Sequence, residues 1–394
     1  MPADHIRISR IKTAMRRVGL DALILRLPEN IVMSMGVWPM NGFSYALITS
    51  QAGPTALIAP SCEDQEMADC WSADVRFFTW PRLEMSDPLE AIRRELVDLA
   101  AKHNLKHARI GYEGSFEYVA PSHNGGEVMV ACESSIAYLK SVLPKAQWTD
   151  ASDLLNNLRA TKTPMEVERL RIAHKVAAMG LRKFQQSAQP GIRETELAAE
   201  VYSQCLVGGM NLPGVKHLNV YPQISSGPNA HRAWRPIVST TKRRLQEGEL
   251  AVLELAVCVD GFWADVTRVK AAGEPLPIQR DAYAAVKKAQ AAAIKSIKAG
   301  IRASRPHQVA TDILIKAGFE KQIVHLTGHG VGFRYHEPEP FLLPANSMKL
   351  RVGHVCSVEP GLYDPAWGGI RIEDNVVVTA EGAEVLTHAA KKLT

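Results

Sequence analysis

Gly328-His329-Gly330-Val331-Gly332, continued by Tyr335-His336-Glu337-Pro338, is the stretch on which the reading of this chain turns. Glycine on either side of His329 lets the backbone approach a neighbour closely and leaves one imidazole facing into a site. Metal ligation and acid–base chemistry both use that geometry. A lone histidine in a Gly-rich loop is more often a satisfied polar residue than a ligand, so its meaning depends on the acids placed upstream and downstream.

Upstream, residues 251–259 and 262–269 flank Asp260-Gly261, a two-residue hairpin signal. With Asp260 and Gly261 in the turn, Val259 faces Phe262, Ala256 faces Asp265 and Glu254 faces Thr267. Side chains alternate with period two, so Glu254 and Asp265 share one sheet face as diagonal neighbours. The plain alternative is a pair of solvent-facing acids on an amphipathic hairpin, which Thr267 and Arg268 would suit. Against it, the strand holding Glu254 is otherwise apolar on both faces, as in strands buried on both sides. A carboxylate there is costly unless a cation compensates it.

Downstream, Ser357-Val-Glu359-Pro-Gly and Gly368-Gly-Ile-Arg371-Ile-Glu373-Asp-Asn repeat the theme. One strand over 370–378 would put Arg371, Glu373 and Asn375 on a common face, with Arg371 beside Glu373. A surface salt bridge is the usual meaning of such a pair. Taken together, Glu254, Asp265, Glu359 and Glu373 would bring a charge of about −4 to His329, and two divalent cations bridged by hydroxide would nearly neutralise it. Oxygen-rich ligation with one imidazole favours Mn²⁺, Fe²⁺ or Co²⁺, and the lack of thiolates counts against a structural zinc. The physical reading is a two-metal hydrolytic centre.

The 394 residues are long for one core and suggest two domains. Helical spacing over 7–20, short apolar strands at 21–25, 46–49, 55–59, 75–78 and 108–112, and helical segments at 61–73 and 87–103 describe a small α/β domain with a mixed sheet over residues 1–155. From residue 156 to 394 the pattern becomes α+β. Thr163-Pro164 opens a helix to about residue 186, a second helix over 194–207 stops at Gly208-Gly209, and strands follow with helices at 279–298 and 305–316. A net charge of +5 with no block of five like charges and no Lys/Arg run interleaved with aromatics argues against nucleic acid as a partner. Six scattered cysteines, an N-terminus without a signal peptide's apolar core, and no apolar run of membrane-spanning length make the cytoplasm the expected compartment.

In their order and spacing these residues resemble the pita-bread metallopeptidases, the family of Xaa-Pro aminopeptidases, prolidases, methionine aminopeptidases and creatinase. Lys162-Thr-Pro-Met-Glu166, Gly328 to Gly332, His336-Glu-Pro338, Glu359-Pro-Gly and Gly369-Ile-Arg-Ile-Glu-Asp374 carry the resemblance, with a weaker likeness in the N-terminal region. It implies a C-terminal pita-bread domain preceded by a smaller α/β creatinase-type domain. The implied metal ligands are Glu254, Asp265, His329, Glu359 and Glu373, holding two divalent ions, Mn²⁺ first, with Co²⁺, Fe²⁺ or Zn²⁺ as alternatives. A metal-bridging hydroxide would attack the scissile carbonyl, and Glu359 would help handle its proton. His336 matches the histidine that stabilises the tetrahedral intermediate, His325 one that meets the substrate, and Arg371 an arginine of the proline-specific branch.

The implied partner is a peptide with proline at its second position, cut by an Xaa-Pro aminopeptidase or dipeptidase that forms a homodimer. This chain departs from the family pattern twice: the first ligand is normally Asp where Glu254 stands, and Trp234 takes the place of an expected histidine, with His231 three residues earlier as a candidate catalytic substitute. Those departures motivate two rivals. One is a creatinase-like hydrolase or lyase of a small non-peptide amide, and the other is a non-catalytic binding scaffold.

Overall fold

Residues 2–40, 42–80, 87–114, 131–235 and 240–394 are described in a computed structural model. They form two units, one ending at Arg159 and the other running Ala160–Thr394.

The first unit is built in the order α1 (His5–Arg17), β1 (Ala22–Leu25), α2 (Pro28–Met35), β2 (Tyr45–Thr49), β3 (Gly53–Pro60), β4 (Val75–Phe78), α3 (Pro88–Lys102), β5 (Arg109–Tyr112), α4 (Glu133–Val142), β6 (Gln147–Asp150) and α5 (Ser152–Ala160). The strands make one mixed sheet in the order β4-β3-β2-β1-β5-β6, with β1 antiparallel to β2 and parallel to β5. The helix expected over 61–73 is instead two short 3-10 turns, Ser61–Glu63 and Glu66–Asp69. Met67 is the one buried apolar residue there, too little to anchor a helical face. Helix α2, absent from the sequence expectations although Pro28 at its first position and Gly36 past its end mark it, starts at Leu27 without a side-chain cap. The chain leading into it is fixed from far away: Glu113 accepts from Arg26 N at 2.9 Å and Leu27 N at 3.0 Å.

The second unit begins with α6 (Pro164–Ser187) and α7 (Glu194–Met210). Thr163 and Glu166 close a capping box on α6, Glu166 Oε2 accepting from Thr163 N at 2.8 Å. Helix α7 does not stop at Gly208-Gly209; it continues to Met210 because Gly209 is buried against Val176 and Leu218, where the absence of a side chain serves packing. Strands β7 (Leu218–Ser226), β8 (Glu249–Val259) and β9 (Phe262–Ala272) then form an antiparallel sheet, with Glu254 opposite Thr267 and Ala256 opposite Asp265 as the Asp-Gly turn predicts. Asp260 and Gly261 both take positive φ, 49° and 86°, as a tight hairpin turn of this kind demands.

Alternation decides what this sheet does. Leu253, Leu255, Val257, Ala264 and Val266 pack against Val176, Leu181 and Phe184 of α6 and Val201 of α7 in one core. Glu254, Ala256, Asp265 and Thr267 therefore point to the other face. Full burial of each Leu or Val contributes about 1.5–3 kcal/mol, so a one-residue slip, which would turn Glu254 into that apolar core, is strongly disfavoured.

After α8 (Pro277–Ser296) and α9 (Ser304–Lys316) come β10 (Gly328–Gly330), β11 (Glu337–Leu342), β12 (Val355–Val358), β13 (Gly361–Asp364), β14 (Gly368–Arg371), β15 (Asp374–Val378) and β16 (Ala383–Val385). They form a five-stranded sheet, β11-β10-β12-β15-β16, and a two-stranded one, β13-β14. The single strand expected over 370–378 is thus broken at Ile372-Glu373. There the chain crosses to β9: Glu373 N donates to the Thr267 carbonyl at 3.1 Å, and Arg268 Nη1 donates to the Glu373 carbonyl at 2.6 Å. Among the described residues, no helix is long and apolar enough to cross a membrane.

Candidate metal centre

His329 is held by the shortness of its neighbours. A Cβ on Gly328 would lie 2.0 Å from the Ser357 carbonyl oxygen and one on Gly330 would lie 2.0 Å from that of Glu339, so only glycine lets β10 lie this close to its flanking chains. The His329 amide donates to Ser357 Oγ at 3.0 Å, and Nδ1 lies 2.9 Å from the Gly330 carbonyl. A carbonyl can only accept, so Nδ1 donates to it and Nε2 is the nitrogen that faces inward. Nε2 is 3.4 Å from Asp265 Oδ2 and 3.4 Å from Glu359 Oε1.

The acids arrive from three places. Glu254 and Asp265 come from the inner face of the β8–β9 hairpin. Glu359 follows the end of β12, its amide donating to the Thr327 carbonyl at 2.8 Å and its Oε1 accepting from Ser357 Oγ at 3.1 Å. Glu373 sits at the break between β14 and β15. Potential ligand atoms lie within 4.8 Å of one another in three overlapping groups: Asp265, His329 and His336; His329, Glu359 and Glu373; Glu254, Asp265 and Glu373. All five predicted ligand residues are therefore in one cluster, joined by His336.

The carboxylates are not equivalent. Burial works to raise the Glu254 pKa, but the Arg371 guanidinium, with Thr267 and Tyr335 hydroxyls, holds it down at about 2. Burial, and then the negative charges of Glu373, Glu254 and Glu359, push Asp265 well above the carboxylate range. Glu373 is likewise raised by burial and by Glu359 and Glu254. Both carboxylate oxygens of Asp265 and Oε1 of Glu373 are buried without a hydrogen-bond partner. Desolvated oxygens of this kind need a proton or a cation, and the oxygen-rich donor set with imidazole fits divalent ions such as Mn²⁺, Fe²⁺ or Co²⁺.

Arg371 differs from its expected role as the partner of Glu373. Its short ion pair is with Glu254, Glu359 Oε2 lies 3.9 Å from its Nε, and that Nε donates to Thr267 Oγ1 at 2.9 Å. The break after β14 is the reason: Arg371 ends that strand and Glu373 lies in the break before β15, so period-two alternation does not carry from one to the other. Thr267 Oγ1 lies 2.5 Å from Glu254 Oε2 and 2.7 Å from Glu373 Oε2, and its single proton serves one carboxylate at a time. Arg371 Nη1 donates to the Ala233 carbonyl at 2.6 Å and to the Tyr363 hydroxyl at 3.1 Å.

His336 lies with Nε2 3.9 Å from Asp265 Oδ2 and its ring 4.4 Å from that of His329. His325 Nδ1 is 2.6 Å from the Leu326 carbonyl and Nε2 3.0 Å from the Tyr363 hydroxyl. Burial lowers its pKa, so the ring is neutral and accepts from Tyr363, which in turn accepts from Arg371. His231 is on the 3-10 turn Gly227–Arg232 with Nδ1 on the Pro228 carbonyl, and it belongs to none of the converging groups. Trp234 is 41% exposed, with the Arg235 guanidinium 5.7 Å over its ring. Sequence reasoning passed over Tyr335, Thr267, Ser357 and Tyr363. Thr267 was detectable as the residue facing Glu254 in the hairpin; Tyr363 carried no local signal.

The model of metallopeptidase family M24 matches residues 168–380, and that of the creatinase/prolidase N-terminal domain matches residues 7–161. An Xaa-Pro dipeptidase of Lactobacillus helveticus is 34% identical over 257 residues, 65% of this chain and 68% of that protein. An Xaa-Pro dipeptidase of Pyrococcus furiosus is 26% identical over 387 residues, 98% of this chain and 99% of the relative. The crystal structure of the prolidase from Pyrococcus horikoshii superposes with a TM-score of 0.79 at 25% identity, covering 99% of this chain and all of the other.

Proposed function

The chain belongs to metallopeptidase family M24 and carries the family's pita-bread domain behind a creatinase-type N-terminal domain, and on that premise we propose that this enzyme hydrolyses the peptide bond preceding proline, as an Xaa-Pro dipeptidase or aminopeptidase. The observation that carries the reading is the convergence of Glu254, Asp265, His329, Glu359 and Glu373 with unpartnered buried oxygens on Asp265 and Glu373. Relatives named Xaa-Pro dipeptidase support the substrate class. The same reading takes Mn²⁺ as the metal and places the enzyme in the cytoplasm as a homodimer.

The five residues would hold two divalent ions, which when bound supply Lewis acidity and an activated water. Glu359, oriented by Ser357 Oγ and its own amide, takes the proton of the attacking water. His336, beside Asp265, offers an imidazole to the oxyanion. Arg371 anchors Glu254 and, through Tyr363, sets the neutral His325 at the substrate-facing side. Trp234 and Glu254, where the family carries His and Asp, favour a second reading, a small non-peptide amide as substrate.

Chelator-stripped protein reloaded with Mn²⁺ and assayed on a panel of Xaa-Pro dipeptides and longer Xaa-Pro peptides tests the proposal. Metal-dependent release of the residue before proline is the expected result. A metal-loaded enzyme that leaves the whole panel intact overturns the proline-peptide reading in favour of the small amide, and a protein that binds no metal supports the scaffold.

A further inference from the structure

Lys162 and Glu337 form an ion pair inside the second unit, with side chains 0% and 2% exposed. A buried pair of this kind is weak evidence for stability, since desolvation offsets much of the attraction and apolar residues of equal volume often do as well. What it does supply is direction. Glu337 Oε2 receives the ammonium while Oε1 accepts from the Phe333 amide at 2.7 Å. The ammonium lies 5.7 Å from the Phe333 ring, and a Cβ on Gly332 would come within 2.3 Å of Lys162 Cε.

The segment between the partners is fixed on its other side too. The Val331 amide donates to the Val355 carbonyl at 3.2 Å, and the Gly332 carbonyl accepts from the Trp263 amide at 2.7 Å, two residues before Asp265 on β9. Lys162 itself is set by its amide, which donates to the Gly353 carbonyl at 2.7 Å, and by the capping box that follows at Thr163. The next residues along the clamped segment are Tyr335, whose hydroxyl donates to Glu254, and His336, whose Nε2 faces Asp265.

We propose that Lys162 and Glu337 are positioning residues for this enzyme's reaction, acting through segment 331–336 to fix the Tyr335 hydroxyl on Glu254 and the His336 imidazole beside Asp265. The inference rests on the metallopeptidase reading above. It predicts a loss that falls on turnover and leaves metal and substrate binding in place, because neither residue of the pair belongs to the converging ligand groups.

The test is the double variant Lys162→Met/Glu337→Met, which removes both charges at similar volume, assayed as full-length Mn²⁺-loaded protein. Expected are wild-type metal content by mass spectrometry, a cooperative melt, KM little changed, kcat down by about 10- to 100-fold as for a remote misplacement of a catalytic group, and faster amide exchange in residues 331–336. Lys162→Met/Glu337→Gln, whose amide oxygen still accepts from Phe333 but which lacks the ammonium, should recover part of kcat and of the protection and stay below wild type in both. Wild-type kcat, or unchanged exchange in 331–336, in the folded and metal-loaded double variant overturns the proposal. Should that variant not fold, Lys162→Met/Glu337→Gln is judged on the same two readouts, values equal to wild type overturning the proposal. A wild-type enzyme that cleaves no Xaa-Pro substrate refutes the peptidase reading instead, and the exchange of 331–336 then decides the positioning claim.

Discussion

Replacing Arg371 by Met removes the one guanidinium that the acidic cluster holds against Glu254, together with donors to Thr267, Ala233 and Tyr363. Arg371 is the chief cause holding Glu254 near a pKa of about 2 against the pull of burial, from an ordinary value of 4.5. That difference corresponds to about 3 kcal/mol. The folded-state pKa is depressed, so this stabilisation is fully present above pH 4.5 and fades as pH falls through the folded value near 2. Breaking a buried pair on one side costs about 3–5 kcal/mol. Metal-free Arg371→Met should therefore lose stability of that order in urea unfolding at pH 7. Arg371→Met/Glu254→Gln, which removes the stranded charge, should regain about half of it or more, a non-additivity that a double-mutant cycle reads directly. A variant within about 1 kcal/mol of wild type, or strictly additive losses, would refute the assignment of Arg371 as the counter-charge of Glu254.

His336→Gln should lower kcat by about 10²- to 10³-fold with a small change in KM, as for loss of an oxyanion donor, measured by steady-state kinetics at saturating metal. Thr267→Val, which removes the hydroxyl shared by Glu254 and Glu373, should weaken metal binding by about 10- to 100-fold in a competitive chelator titration, the usual effect of losing a group that orients ligands. His174 is buried, with its pKa lowered by burial from 6.5 to about 3. Its folded-state value is depressed, so it contributes stability above pH 6.5 that is lost as pH falls toward 3. Unfolding of His174→Phe between pH 7 and 4 should accordingly show a shallower loss with acid than wild type, and parallel curves would remove His174 from the account.

What the sequence disclosed was local. The β8–β9 register followed from Asp260-Gly261, because a two-residue turn fixes every cross-strand pair after it, and with it the common face of Glu254 and Asp265. Helix α6 was legible from Thr163-Pro164 and Glu166, whose capping bonds span three residues. What escaped was decided at a distance. Strand β14 ends because Thr267 and Arg268 take the backbone of Glu373, and the partner of Arg371 is 117 positions away along the chain. The entry to helix α2 is held by Glu113, 86 positions from Leu27. His231, three residues before the Trp234 that takes the expected histidine's place, has its Nδ1 on the Pro228 carbonyl within the turn Gly227–Arg232 and lies outside the converging groups. The Gly-rich signal at 328–332 succeeded for a different reason: a close backbone approach leaves a mark in residue choice even when the partners, Ser357 and Glu339, are remote.

The most direct test of the centre is the metal content of the purified full-length protein after exchange into Mn²⁺, compared with Asp265→Asn prepared in parallel. Two ions per chain in the wild type, with content reduced in the variant and affinity weakening as pH is lowered, is the predicted result, since burial and mutual charge raise the proton affinity of Asp265 and Glu373 and protons compete with the incoming cations. A wild-type chain that binds no ion while its second unit remains folded would contradict it.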